Sequence, residues 1–244
     1  MSKEKEKAKD KGKDKGVSAK DKPKTQDKVC AAPWDEGWQL LEPTCDPDQL
    51  DLLLRLREDV SNRLWGKRLT HSFGVSQTAL WFARREGIDE FQAAAAGLLH
   101  DWDKKLPEEE LWAKVERYGL DVPRVEGALP VLHGLTAAAS LPEDYPELPE
   151  PVFQAIARHT TGAPGMTSLD MAVYVADMIE PGRTGDFVDD LRALALAAPL
   201  RQVYAESVRV GLIYLLESGR FVYPSALEVW NDCRQDAPAS GNKE

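Results

Sequence analysis

The sequence predicts an all-α fold, a bundle of roughly eight or more helices behind a disordered N-terminal tail. Apolar residues recur at spacings of three and four through most of the chain. Strand-like alternation between hairpin turns is missing. Capping residues, Pro and Gly punctuate the periodic runs where helices start and stop.

Residues 1–28 alternate lysine with Glu, Asp, Gly and Ala, as in Lys3-Glu4-Lys5-Glu6-Lys7. Eleven lysines face six acids there, a net of +5, so the overall charge of −10 leaves −15 for the rest. With almost no large apolar side chain, this stretch cannot offset its ordering entropy by burial, and a disordered tail is expected. Its mixed signs suit a solubilising extension better than an arm that contacts RNA or a membrane surface. Residues 29–45 are expected to link or to wrap, 46–232 to form the helical domain, and 233–244 to be a flexible C-terminus.

Asp46-Pro47 reads as an N-cap followed by proline in the first turn. Leu50, Leu53, Leu54 and Leu56 follow at near-helical spacing. Val75, Ala79 and Phe82 mark one face of a second helix. Residues 89–99 read as an Ala-rich buried helix that delivers His100-Asp101 at its end. Residues 107–118 open with three glutamates, which suit the positive end of a helix dipole. Tyr204, Val208, Leu212 and Leu215 mark a long C-terminal helix. No internal repeat of solenoid period appears.

Composition narrows the function. The 244 residues allow one medium domain, and a hydrophobic fraction of 43% is enough for a core. A charged fraction of 30% points to a soluble protein, and the acidic balance disfavours non-specific nucleic-acid binding. No apolar run approaches the ~20 residues of a membrane span, and no apolar signal region is seen. Cys30, Cys45 and Cys233 are far apart and form no C-x-x-C pair, so a reducing cytoplasm is expected.

Chemistry concentrates on the four histidines, His71, His100, His133 and His159. Any one alone would more often be a satisfied core or surface residue. Their joint arrangement carries more weight. His100 is followed by Asp101, and Asp177 closes an apolar helical run from Met171. A lone carboxylate on a buried helix face is costly unless paired or metal-bound. Adjacent helical residues point ~100° apart, so His100 and Asp101 can ligate together only near a helix end. The Trp102 to Pro107 stretch supplies that break. Gly74, one turn after His71, removes side-chain bulk and suits close approach by another helix. Gly and Pro after His159 end its helix and bring backbone close to whatever binds. Imidazoles and carboxylates together form a borderline N/O ligand set.

The ordered set H…HD…H…H…D resembles the HD superfamily of metal-dependent phosphohydrolases. Within it, the chain is similar to the YqeK family of symmetrical diadenosine tetraphosphate (Ap4A) hydrolases. The matching segments run Arg68 to Val75, Gly97 to Lys104, His133-Gly134, Arg158 to Thr167, Val175 to Arg183, and Phe221 to Pro224. The resemblance covers about Asp46 to Trp230 and leaves out the tail and the stretch from Trp34 to Glu42.

The resemblance implies an HD-domain helical bundle with an iron site built by His71, His100, Asp101 and Asp177, which would also accept Mn, Co, Ni or Zn. His133 and His159 would either ligate a second ion bridged by Asp101 or contact phosphates. Arg68, Lys104 and Arg183 would bind the polyphosphate. Nucleotide contacts would extend over Asp101, Trp102, Asp103 and Lys104, through His133, His159 and Thr160, to Arg220, Phe221, Val222, Tyr223, Pro224 and Ser225. Asp101 and Lys104 would be catalytic: a metal-activated hydroxide attacks a central phosphorus, Lys104 offsets charge, and two ADP result. Two departures bear on nucleotide specificity. Ala163 stands where some relatives carry arginine, and Asp103 adds a carboxylate where a small residue is expected. Competing readings are an HD enzyme acting on dNTPs, guanosine polyphosphates or cyclic dinucleotides, and a metal-containing nucleotide sensor without turnover. No specific nucleic-acid or membrane partner is expected, and a homodimer is an open arrangement.

Overall fold

A computed structural model of the protein describes residues 31–36, 38–125 and 127–237. The expected Lys-rich tail over 1–28 and the residues beyond 237 lie outside them. Among the described residues there are ten α-helices and no strand. They are α1 (Pro47–Arg63), α2 (Lys67–Glu86), α3 (Glu90–Leu99), α4 (Glu108–Arg117), α5 (Leu129–Asp144), α6 (Glu150–Arg158), α7 (Ser168–Ile179), α8 (Asp186–Ala197), α9 (Leu200–Glu217) and α10 (Ser225–Cys233). No described helix is long and apolar enough to cross a membrane.

Local chemistry sets the starts. Asp46 caps α1 by accepting from the Gln49 backbone N–H, with Pro47 in the first turn, and the Asp46 backbone N–H donates in return to the Gln49 side-chain oxygen. Asp89 caps α3 by accepting from the Gln92 backbone N–H, without a reciprocal bond. Thr167 and Asp170 form a second reciprocal box at the head of α7.

Helices α2 and α7 run through the middle, and each serves two cores. Val75, Ala79 and Ala83 of α2 and Val173 and Ala176 of α7 pack with α1, α3 and α6. Leu80, Trp81 and Phe82 of α2 and Ala172, Val175 and Ile179 of α7 pack with α8, α9 and α10. Of the four leucines expected to line α1, Leu53 and Leu56 are buried, but Leu50 and Leu54 are exposed. The buried stripe of α1 continues instead through Val60, because one face of a surface helix meets the core. Tyr204 and Val208 of α9 are buried, whereas Leu212 and Leu215 line a cleft.

The second core also takes in the segment before α1. Ala32 and Leu41 are buried in it, and Trp34 meets Trp81 edge to face at 5.2 Å. The Gln77 side chain bonds both backbone groups of Leu41, at 2.7 and 3.1 Å.

The tightest packing joins α2 to α3. A Cβ on Gly97 would lie 2.8 Å from the Ser76 Cα, so glycine sets the approach of the two helices that carry His71 and His100.

Candidate metal centre

The ends of three helices and the second turns of two others converge on a single buried cluster. His100 is the C-cap of α3 and His159 the C-cap of α6. Asp177 sits in the last turn of α7, and His133 in the second turn of α5. Helix C-termini carry partial negative charge and favour a cation. His71 comes from the interior of α2, and Asp101 from the turn after His100.

The imidazoles form a row of edge-to-face contacts. Centroids are 5.1 Å apart for His71–His100, 5.0 Å for His100–His159 and 4.9 Å for His133–His159. Each ring is oriented through its Nδ1. His100 donates to the Gly97 carbonyl at 2.7 Å, His133 to Pro130 at 3.0 Å and His159 to Ile156 at 2.7 Å. His71 donates to the Glu180 carboxylate at 3.1 Å. A carbonyl or carboxylate can only accept, so Nδ1 holds the proton and Nε2 is left with its lone pair. Those lone pairs face one another. His71 and His100 Nε2 are 3.2 Å apart, and His133 and His159 Nε2 are 3.0 Å apart.

Carboxylate oxygens complete the cluster. Asp177 Oδ1 is 3.0 Å from His71 Nε2 and 4.0 Å from His100 Nε2. Asp101 divides its oxygens. Its Oδ2 lies 3.6 Å from His71 Nε2 and 3.4 Å from His100 Nε2, whereas its Oδ1 lies 3.0 Å from His133 Nε2. Ligands ~2.1 Å from one ion are about 3.0 Å apart at right angles and about 3.4 Å apart at tetrahedral angles. Five of the separations, at 3.0–3.4 Å, are edges of that size, and the 3.6 Å and 4.0 Å ones are longer. Three overlapping donor triads each fit within 4.8 Å: His71, His100 and Asp101; His100, His159 and Asp177; Asp101, His133 and His159. Unprotonated nitrogens and ionised oxygens pressed together out of water need positive charge between them, and the donor set fits a divalent metal.

The protonation balance agrees. Burial opposes the charge on Asp101, but His100 and His133 outweigh it and hold the carboxyl well below the usual range. Asp177 is likewise held low, against its burial, by His71, His100 and Arg183. Burial and the neighbouring imidazoles push His159 down to about 3, so it stays neutral. Burial also lowers His133. His71 runs the other way: burial pulls it down, yet Asp177 and Glu180 prevail and favour its charged form until a cation takes the place of the proton.

Cations surround the cluster. Arg68 pairs with Asp101 Oδ2, and Arg183 pairs with Asp177 Oδ1 at 2.5 Å. Lys104 Nζ stands 3.5 Å from His133 Nε2, and burial lowers its pKa. The Thr160 hydroxyl donates to His159 Nε2 at 3.0 Å. A cleft of about 820 Å³ opens beside Thr160, with Arg220, Phe221 and Tyr223 in its wall. Val222 and Ser225 are half-buried and Pro224 exposed within that same loop, outside the cleft lining. A second cleft, of about 430 Å³, is lined by Lys67, Arg68, Thr70, His71, Glu180, Gly182 and Arg183.

Trp102 and Asp103, also expected at the nucleotide, are turned away from the cluster. Asp103 is fully buried and faces the other way, bonded to Arg63 at 2.9 Å and to Lys114 at 2.7 Å. Trp102 packs on Tyr145 beneath the Arg63 guanidinium. Both oxygens of Asp103 are engaged in a network that ties the turn to α1 and α4. Two glycine roles also differ from expectation. Gly162 adopts φ +69° and leaves room for the Tyr204 hydroxyl, 2.9 Å from where a Cβ would be, so it serves packing. Gly74 makes room for a side chain, not a helix: its Cβ would lie 2.5 Å from Glu180 Oε2.

Glu180 is the residue that the motif reading passed over. It is buried, ends α7 and fixes the His71 ring. The signal lay in Gly74 and Gly182, both of which crowd its carboxylate. Outer partners of this kind are worth about 10–100-fold in metal affinity. Glu180→Gln is therefore expected to weaken metal binding about tenfold or more with the fold intact. Competition with a chelator measures it, and unchanged retention would show that His71 needs no anchor.

The family profile described as "HD domain" matches residues 68–182. The symmetrical bis(5'-nucleosyl)-tetraphosphatase of Bacillus subtilis (strain 168) is 31% identical over 172 residues, covering 70% of this chain and 92% of that protein. Its counterpart in Staphylococcus aureus (strain NCTC 8325 / PS 47) is 32% identical over 166 residues, covering 68% and 86%. A crystal structure from Clostridium acetobutylicum, described as a predicted HD superfamily hydrolase involved in NAD metabolism, aligns with a TM-score of 0.68. It shares 31% identity and covers 74% of this chain and 96% of its own.

Proposed function

The chain belongs to the HD domain family, and from that premise we propose that it hydrolyses diadenosine tetraphosphate symmetrically to two ADP. The observation that carries the reading is the row of four Nε2 lone pairs around a split Asp101 carboxylate, ringed by Arg68, Lys104 and Arg183. Relatives with about this identity bear the name of that activity.

His71, His100, Asp177 and Asp101 Oδ2 would hold one ion, and His133, His159 and Asp101 Oδ1 a second. We assign iron as the resident metal, with Mn, Co, Ni or Zn as substitutes the same donors would accept. A bound metal pair supplies an activated water near neutral pH and neutralises charge on a phosphoryl group. The protein does the remaining work. Asp101 positions both halves of the site. Arg68 and Arg183 are held on Asp101 and Asp177, where each can turn a second face to phosphate oxygens. Lys104 adds positive charge to the bridge or to the departing ADP. Thr160 and the wall of Arg220, Phe221 and Tyr223 would seat a nucleoside beside His159. We place the reaction in the cytoplasm, consistent with cysteines that form no pair among the described residues.

The test combines elemental analysis of freshly purified protein with product identification from Ap4A. ADP as the sole nucleotide product, with bound metal, is the expected result. AMP plus ATP would overturn it. Tight ADP binding without turnover of any dinucleotide would favour a sensor instead.

A further inference from the structure

We infer that the site reads only one of the two nucleosides, so the protein also cleaves nucleoside 5'-tetraphosphates such as adenosine 5'-tetraphosphate. This rests on the Ap4A reading and extends it. The two clefts stand at different ends of the cluster and share no lining residue. The larger one reaches Thr160, next to His159, and has Tyr174, Tyr214, Phe221 and Tyr223 in its wall. Aromatic faces of this kind stack nucleobases. A Cβ on Gly127 would run into the Phe221 ring, so backbone and ring are fitted closely there.

The smaller cleft has a different chemistry. It touches His71, at the other end of the imidazole row, and its wall holds Lys67, Arg68 and Arg183 but no Phe, Tyr or Trp. The exposed aromatic nearest in sequence, Trp65, is not in that wall, and the Lys105 ammonium sits 5.2 Å over its ring. Lys67 is exposed and makes no ion pair among the described residues. Arg183 keeps part of its side chain open to solvent beside Asp177. Such a surface recognises phosphate charge and offers a second base nothing to stack on.

A substrate whose distal half ends in free phosphates would therefore fit as well as a dinucleotide. Water adds across the bond between the second and third phosphates. That P–O bond breaks, the bridging oxygen leaves with one product and takes up a proton, and ADP and pyrophosphate result. The free terminal phosphate carries more negative charge than an esterified one, which the Lys67 cleft favours.

The experiment compares the metal-loaded full chain on Ap4A and on adenosine 5'-tetraphosphate, with nucleotides and pyrophosphate quantified. We expect ADP and pyrophosphate in equal amounts, with kcat/KM less than about tenfold below that for Ap4A. A stacked base is worth about ten- to a hundredfold, so a larger drop means that the second base is read and overturns the inference. ATP plus inorganic phosphate would overturn it too, because the chain would then be registered from its free end. An inert Ap4A sinks the parent reading; active Ap4A with spared tetraphosphate sinks only this one. Lys67→Ala should raise KM for the tetraphosphate more than KM for Ap4A at low ionic strength. Equal effects would displace the terminal phosphate from this cleft.

Discussion

Replacing Asp101 with alanine is expected to lower Ap4A turnover by on the order of a thousandfold or more and to strip metal from both halves of the centre. The magnitude follows from the split carboxylate. Oδ2 faces His71 and His100, and Oδ1 faces His133, so a single truncation removes an oxygen from each donor group. Metal-assisted stabilisation of a phosphoryl transition state is worth several kcal/mol, and each ~1.4 kcal/mol is tenfold in rate. The loss also frees Arg68, whose guanidinium rests on Oδ2. Asp101→Asn separates charge from shape, because it keeps the side-chain volume and one acceptor. It should retain some metal and little turnover. Elemental analysis beside ADP release measures both. Full metal content with turnover within tenfold of the parent protein would refute the bridging role.

The largest effect on stability is expected from Gly97→Val. A Cβ there would lie 2.8 Å from the Ser76 Cα and 3.0 Å from its nitrogen. Those atoms are backbone in the middle of α2 and cannot swing aside as a side-chain tip would. Alanine gains ~1 kcal/mol of helix propensity over glycine, which partly offsets the clash. Valine adds two more carbons and loses rotamer freedom, so its net cost is about 3 kcal/mol. In a chain of this size that lowers Tm by about 6–12 °C. Because α2 carries His71 and α3 ends on His100, metal retention should fall in the protein that still folds. Thermal melts with metal analysis test this, and a Tm unchanged to within a degree would mean that the two helices can part cheaply.

The helices were legible because local rules and tertiary packing agree. Asp46-Pro47 and the Asp89 start are chemical signals that act within four residues, and they cap α1 and α3 as read. The six metal-type side chains were legible through their spacing on apolar helices, and the structure draws His71, His100, Asp101, His133, His159 and Asp177 into one cluster. Direction within tight turns was not. Trp102 and Asp103 directly follow Asp101, yet the turn sends them to Arg63, Lys114 and Tyr145, partners supplied by α1, α4 and the end of α5. Nothing within a few residues encodes that choice. Glu180 was hidden for the opposite reason: its partner His71 is 109 residues away. The exposed Leu50 and Leu54 show the same limit, since periodicity marks a stripe without fixing its width.

The donors arrive on α2, on the end of α3 and its turn, and on α5, α6 and α7, with no two donor-bearing helices alike in their neighbours. An unfolded chain holds these groups far apart, and no single hairpin of helices brings the cluster together. An ion bound there therefore discriminates sharply between folded and unfolded protein. At a free concentration a hundred times its dissociation constant it adds about 2.7 kcal/mol to the folded state. With an ion seated there, the molecule's resistance to heat would be set partly from outside, by the metal supply of its surroundings, and the centre would double as a clasp across the bundle.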